Sequence, residues 1–268
     1  MKSKPTVLIL GARGFLGSAI TAEATARDYR VFPVEPDNYR THLGVEADWL
    51  INANGNSRKY LSDQQPLEDF DLSVRSVAAS LQDFRADHYL YLSTVDVYAD
   101  KGNPARNAEA EPIRPSRLSR YGHHKWLAEE LIRFNASSWM VMRMGGLVGP
   151  GLRKNAVYDL LRGQPLRVHP DSVYQFLHTR ETACVILDLA ERGLWGETFN
   201  LSGEGVISVH DVADLIPGGR LLDSPPVGAP QRYEVSLEKI NKHCAVTSTR
   251  ETVTRFVKAV LEGREKLA

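Results

Sequence analysis

An apolar, β-branched run that stops on three spaced glycines constrains this chain more than any other stretch. Thr6–Leu10 reads Thr-Val-Leu-Ile-Leu, and Gly11-Ala-Arg-Gly14-Phe-Leu-Gly17 follows without a gap. Such a run suits a strand buried on both faces, the kind found in parallel sheets covered by helices. Residues 18–30, with Ala19, Ile20, Ala22, Ala24 and Ala26, then read as a helix. In a strand–turn–helix unit each glycine has its own task. Gly11 permits the tight turn, Gly14 clears a side chain where a phosphate must approach backbone, and Gly17 lets the helix lie close to the sheet. Free N–H groups and the helix dipole then favour a pyrophosphate. Arg13, Phe15 and Leu16 complete this candidate dinucleotide-binding loop.

Glu35 ends a second strand, read over residues 31–35. A carboxylate there accepts hydrogen bonds from an adenosine ribose and repels a 2′-phosphate, which favours NAD over NADP. Arg13 pulls the other way, because a guanidinium in the loop suits that phosphate. Ala53 and Asn54, at the turn that ends the strand over 48–53, are the remaining cofactor-side candidates.

Further strands at 88–94, 139–144 and 197–201 alternate with helices at 67–85, 121–135, 155–163, 179–192, 209–216 and 249–267. The alternation predicts an α/β fold with a Rossmann-type doubly wound parallel sheet. Residues 1–150 are expected to form mainly the dinucleotide-binding domain and 151–268 mainly a small C-terminal substrate-binding lobe, with 176–201 returning to the sheet. A Pro/Gly-rich stretch covers 217–230.

Lys plus Arg and Asp plus Glu both number 33 of 268 residues, so nothing in the balance asks for nucleic acid or an anionic membrane. Cys184 and Cys244 are the only cysteines, which makes neither a disulfide framework nor a zinc site. His123 and His124 are adjacent on a helix and point apart, so no metal site is expected there. No apolar run is long enough for a membrane span or a signal-peptide core. The expected location is the cytoplasm.

Tyr121-Gly-His-His-Lys125 opens the helix at 121–135. Positions i and i+4 share a helix face, so the phenol and the ammonium can face one bound ligand. An ammonium favours phenolate and moves Tyr121 toward general acid/base work. Ser93 and Thr94 end the preceding strand and can hydrogen-bond a substrate oxygen; Asp96 is either a second acid/base or a polar strand end.

Gly11-x-x-Gly14-x-x-Gly17, Leu-Ser93-Thr94-Val-Asp96-Val-Tyr98 and Tyr121-Gly-x-x-Lys125 together resemble the extended short-chain dehydrogenase/reductase family, in its nucleotide-sugar epimerase, dehydratase and reductase branch. The likeness continues through residues 143–151, 175–183 and 196–200. It implies catalytic roles for Thr94, Tyr121 and Lys125, hydride exchange with a nicotinamide, a sugar-nucleotide substrate and a homodimer formed through the Tyr121 helix. The chain also departs from that pattern. The stretch between Glu35 and Asp48 is too short for the usual extra helix and strand. Val95 replaces an acid of the 4,6-dehydratases, Ser73 an Asn, and Gly146 another Asn. Tyr174 stands where relatives place an Arg on the substrate diphosphate, with Arg232 as a possible substitute or a solvated loop residue. The alternative reading is a non-catalytic, redox-sensing scaffold that binds dinucleotide.

Overall fold

The structure is a computed structural model that describes residues 4–56, 58–218 and 227–268. Residues 219–226 of the Pro/Gly-rich stretch lie outside the described residues. The strands are β1 Thr6–Leu10, β2 Arg30–Val34, β3 Glu46–Asn52, β4 Arg85–Thr94, β5 Trp139–Met144, β6 Gly146–Val148, β7 Val173–Tyr174, β8 Phe176–His178, β9 Glu197–Leu201, β10 Ile207–Ser208 and β11 Arg232–Tyr233. The α-helices are α1 Phe15–Ala26, α2 Leu61–Gln64, α3 Pro66–Phe70, α4 Ser76–Asp83, α5 Arg120–Asn135, α6 Ala156–Leu161, α7 Thr179–Glu191, α8 Val209–Asp214 and α9 Thr249–Leu261.

The chain divides into two units. The first comprises residues up to Ala99, Pro112–Met144 and Ala183–Phe199. Its core is a six-stranded sheet in the order β2-β1-β3-β4-β5-β9, with parallel pairing from β2 through β5. This is the Rossmann-type sheet expected from the alternation. The strand order reverses at β1, so the loops after β1 and β3 open a crevice where such sheets bind ligands. β2 is an edge strand, which tolerates Pro33 because no ladder partner needs its missing N–H. A single 3-10 turn, Tyr39–His42, fills the short stretch between β2 and β3. Leu8, Leu50, Val77, Phe84, Tyr91 and Ile132 pack one face of the sheet, each burial contributing roughly 1.5–3 kcal/mol.

The helix expected over 67–85 is broken into α3, a π-helical turn at Asp71–Arg75, and α4. Pro66 starts α3, and Asp69 and Ser73 lie on the buried side at 0% and 1% exposure. π-turns of this kind re-aim side chains and recur near functional sites. α9 stops at Leu261, short of the expected 267. Gly263 adopts φ +71°, and the N–H groups of Gly263 and Arg264 donate to the Val260 and Ala259 carbonyls at 3.0 and 2.8 Å. That left-handed closure ends the helix.

The second unit comprises Asp100–Glu111, Gly145–Thr182 and Asn200–Ala268. It holds a three-stranded sheet β10-β7-β11 and the pair β6-β8. The units change over at Gly145 and Ala183, beside the expected 150 and 176. β8 pairs with β6 rather than joining the large sheet, and the chain returns at Ala183. The exit comes at Gly145 and Gly146, right after β5, where an added Cβ at Gly146 would stand 2.5 Å from the Gln175 carbonyl oxygen. Residues 100–111 join this unit through buried Asn107, whose carbonyl accepts from Asn200 Nδ2 at 2.9 Å. Among the described residues, no helix is long and apolar enough to cross a membrane.

Candidate active site

The glycine turn after β1 is built for close approach. Gly11 has φ +73°, and a Cβ there would lie 3.1 Å from Asn54 Cα. Gly14 donates its N–H to the Gly11 carbonyl at 2.9 Å and caps α1 without a side-chain cap. A Cβ at Gly17 would run into the Gly11 carbonyl oxygen. Phe15 begins α1, and Leu16 is buried beneath the turn. Uncapped N–H groups at a helix start beside a glycine cradle fit a pyrophosphate. Ala53 joins the turn by donating to Leu10 O at 3.0 Å, and Asn54 is held by Asn52 Oδ1 at 3.0 Å.

Glu35, just after β2, accepts the Arg13 backbone N–H. The Arg13 guanidinium turns to Asp37 at 2.7 Å and lies 3.9 Å from Glu35. Its hydrogen bond and charge hold the Asp37 carboxyl below the usual range. Two carboxylates thus flank the cation that would have to meet a 2′-phosphate.

Ser119 caps α5 by accepting the Gly122 N–H at 3.2 Å, which places Tyr121 in the first turn. A Cβ at Gly122 would strike the Asp96 carbonyl oxygen, so α5 lies directly on the segment that leaves β4. Tyr121 and Lys125 are 8% and 4% exposed. Lys125 Nζ donates to the Leu92 carbonyl at 2.9 Å and sits 4.2 Å from the Tyr91 ring centroid. Burial pushes the Lys125 ammonium down to about 7, against the opposing charges of Glu129 and Asp69.

This shift has a signed consequence. Between about pH 7 and the lysine's ordinary value near 10.5, the unfolded chain holds a proton that the folded one has released. Stability then rises with pH. In cofactor-free protein, the melting temperature of wild type minus that of Lys125→Met is expected to rise by at least ~5 °C between pH 7 and pH 10. A constant difference would remove the buried-lysine account.

Thr94 ends β4 and caps the short 3-10 turn Val95–Val97. Its hydroxyl donates to Asp96 Oδ2 at 3.1 Å and accepts the Asp96 N–H at 3.2 Å. The Asp96 side chain, 2% exposed, is ion-paired with Lys59, whose ammonium lies 6.0 Å from the Tyr121 ring centroid. Sequence reasoning missed Lys59: a lone lysine in a polar loop, 37 residues from its partner, carries no local signal.

Ser93, expected on the substrate side, stands next to Thr94 at the end of β4. Its hydroxyl donates to Glu129, which is 0% exposed and also binds Arg143 at 2.8 Å and Arg133 at 2.9 Å. Arg143 reaches the Tyr98 hydroxyl at 2.8 Å. Ser93 is thereby committed to a buried network, because side chains alternate along a strand and its neighbour Thr94 takes the other side. Glu129 could have been found at i+4 from Lys125 on the α5 face. His124 likewise belongs to a buried set: its Nδ1 lies 2.6 Å from Asp69 Oδ2, and Asn56 Nδ2 donates to Asp69 Oδ1 at 2.6 Å.

Tyr174 and Arg232 lie in the second unit. The Tyr174 hydroxyl donates to Gln231 Oε1 at 3.2 Å and its ring stacks on Tyr233 at 5.7 Å. Arg232 pairs with Glu234. Its charge is already matched, which weakens its expected use as a diphosphate ligand.

The first unit thus combines a Rossmann-type sheet, a glycine turn at the start of α1, Glu35 just after β2 and the buried Tyr121/Lys125 pair on α5. The sequence pattern of the RmlD substrate binding domain matches residues 5–230, and the chain belongs to that family. It is 26% identical over 232 residues to the spore coat polysaccharide biosynthesis protein SpsK of Bacillus subtilis (strain 168), covering 78% of this chain and 77% of that protein. Among solved structures, UDP-galactose 4-epimerase superposes with a TM-score of 0.79 at 19% identity, over 96% of this chain and 99% of that one. MoeE5 in complex with UDP-glucose and NAD gives 0.77 at 21% identity, over 97% and 100%. The dTDP-4-dehydrorhamnose reductase of Bacillus anthracis in complex with NADP gives 0.77 at 16%, over 96% and 98%.

Proposed function

We propose that this protein transfers hydride between a nicotinamide dinucleotide and the carbonyl or alcohol of a nucleotide sugar, as a reductase or an epimerase. The observation that carries the reading is Tyr121 and Lys125, buried on α5, against the Thr94 end of β4, in the same unit as the glycine cradle. When bound, the nicotinamide supplies or accepts the hydride. Gly11, Gly14 and Gly17 leave room for the pyrophosphate, and Glu35 takes the adenosine ribose. Tyr121 gives a proton to, or takes one from, the sugar oxygen, and Thr94 donates a hydrogen bond to that oxygen. The Lys125 ammonium has three donors, one of which Leu92 uses, so the others can serve the nicotinamide ribose. The phosphates of a bound dinucleotide would raise the Lys125 value above its cofactor-free position, and the ammonium so kept favours phenolate. The reading includes a cytoplasmic homodimer through α5, which sedimentation analysis checks.

NAD is the preferred cofactor in this reading, because Glu35 and Asp37 both face Arg13. Replacing both carboxylates by serine is expected to raise NADP affinity relative to NAD by at least about ten-fold, as two like charges leave the 2′-phosphate position. Unchanged relative affinities by fluorescence titration would remove that role.

The function itself is tested with a panel of UDP- and dTDP-linked sugars and their 4-keto forms, each with NAD(H) and NADP(H). Net change in nicotinamide absorbance marks a reductase; conversion to a sugar of the same mass without net change marks an epimerase, and loss of water without net change a dehydratase. Dinucleotide binding with no conversion of any sugar would overturn the enzymatic reading in favour of a scaffold.

A further inference from the structure

We propose that Lys59 is a positioning residue: it holds the Asp96 carboxylate so that Thr94 can turn its hydroxyl from Asp96 to the substrate oxygen. The inference rests on the roles of Thr94 and Tyr121 given above. A threonine hydroxyl has one proton. Here that proton goes to Asp96 Oδ2, while the Asp96 N–H fills an acceptor site on the same hydroxyl. Donation to a sugar oxygen therefore requires Thr94 to release Asp96.

Release is costly for a carboxylate that is 2% exposed, because a buried acceptor loses a partner. Lys59 offsets this. Its ammonium bonds the same Oδ2, so that oxygen keeps a charged donor after Thr94 turns away. The backbone just before Lys59 is fastened at Arg58. Asn56 accepts the Arg58 N–H at 2.7 Å and donates to the Arg58 carbonyl at 2.9 Å and to Asp69 Oδ1 at 2.6 Å. Asp69 in turn binds His124, next to Lys125 on α5. The loop that delivers the ammonium is thus tied to the helix that carries the phenol. Lys59 itself is 53% exposed, so it can follow small movements of Asp96 without repacking a core.

Four variants decide the matter: Lys59→Met, Asp96→Asn, the two combined, and Lys59→Arg. On a sugar that wild type converts, Lys59→Met is expected to lower kcat about ten-fold with little change in KM, and Lys59→Arg to recover most of it. If Lys59 acts through Asp96, the double variant is no slower than Asp96→Asn alone. A loss confined to KM, or a double loss equal to the product of the single ones, would mark Lys59 as an independent substrate contact and overturn the inference. Thermal melting reads the pair without turnover. Lys59→Met should melt below the double variant, because Asp96→Asn removes the buried charge that has lost Lys59; equal melting overturns the pairing. Multiplicative losses with an active wild type sink this inference alone, whereas a wild type inert on every sugar sinks the proposed function with it.

Discussion

Replacing Tyr121 with phenylalanine is expected to lower turnover by roughly 10²–10⁴-fold while dinucleotide affinity stays within about two-fold. The change removes one oxygen from a side chain that is 8% exposed and leaves the ring, so the packing of α5 against the Asp96 segment is kept. The glycine cradle, Ala53 and Glu35 are untouched. What disappears is the group proposed to pass a proton to the sugar oxygen as hydride moves at the adjoining carbon. In the reductase direction the oxyanion then lacks its acid; in the oxidative direction the alcohol lacks its base. Turnover by the panel assay and cofactor titration by fluorescence give the two readouts. Near-wild-type turnover would remove Tyr121 from the chemistry, and joint loss of turnover and cofactor affinity would make it a structural residue.

The second large effect concerns stability. Glu129→Ala is expected to destabilise the protein by roughly 3–5 kcal/mol, because it strands a buried cation. Glu129 is 0% and Arg143 3% exposed, and two guanidinium nitrogens of Arg143 reach the carboxylate at 2.8 and 3.2 Å. Removing the carboxylate leaves Arg143 with the Tyr98 hydroxyl and no counter-charge. The cost falls on the site as well, since Ser93 loses its acceptor one residue before Thr94. Glu129→Ala combined with Arg143→Met should recover part of the loss, because an apolar pair strands no charge. Chemical denaturation of the three proteins measures this, and a Glu129→Ala loss below about 1 kcal/mol would contradict the network.

The same pair sets an acid limit. Burial alone would raise the Glu129 carboxyl, but the charge and hydrogen bonds of Arg143, with Arg133 and Ser93, hold it below its usual range. A depressed folded value means stability is present above the ordinary glutamate range and lost as pH falls through the folded value. The gap in stability between wild type and Glu129→Ala should therefore shrink in acid and not in alkali.

The parts legible from sequence are those whose physics is local. Three glycines directly after a β-branched run require only the turn itself, and Gly11, Gly14 and Gly17 stand as expected. Tyr121 and Lys125 share a face because any helix places i and i+4 together. The short stretch after Glu35 holds one 3-10 turn because it is too short for more. What the Ser93 hydroxyl bonds is something that local pattern cannot supply. Two adjacent hydroxyls at a strand end must point opposite ways, and only the packing of α5 on β4 tells that Ser93 is the one that meets Glu129.

The sequence by itself determined the strand–turn–helix cradle, the Tyr/Lys face and the alternating α/β order, because each depends on backbone geometry over a few residues. Tertiary structure alone decided that Asp96 meets Lys59, that Glu129 meets Arg143, and that Asp69 ties its loop to α5. Those pairings join charges far apart in the chain. Which charge meets which depends on how strands and helices are stacked, and no local spacing encodes that.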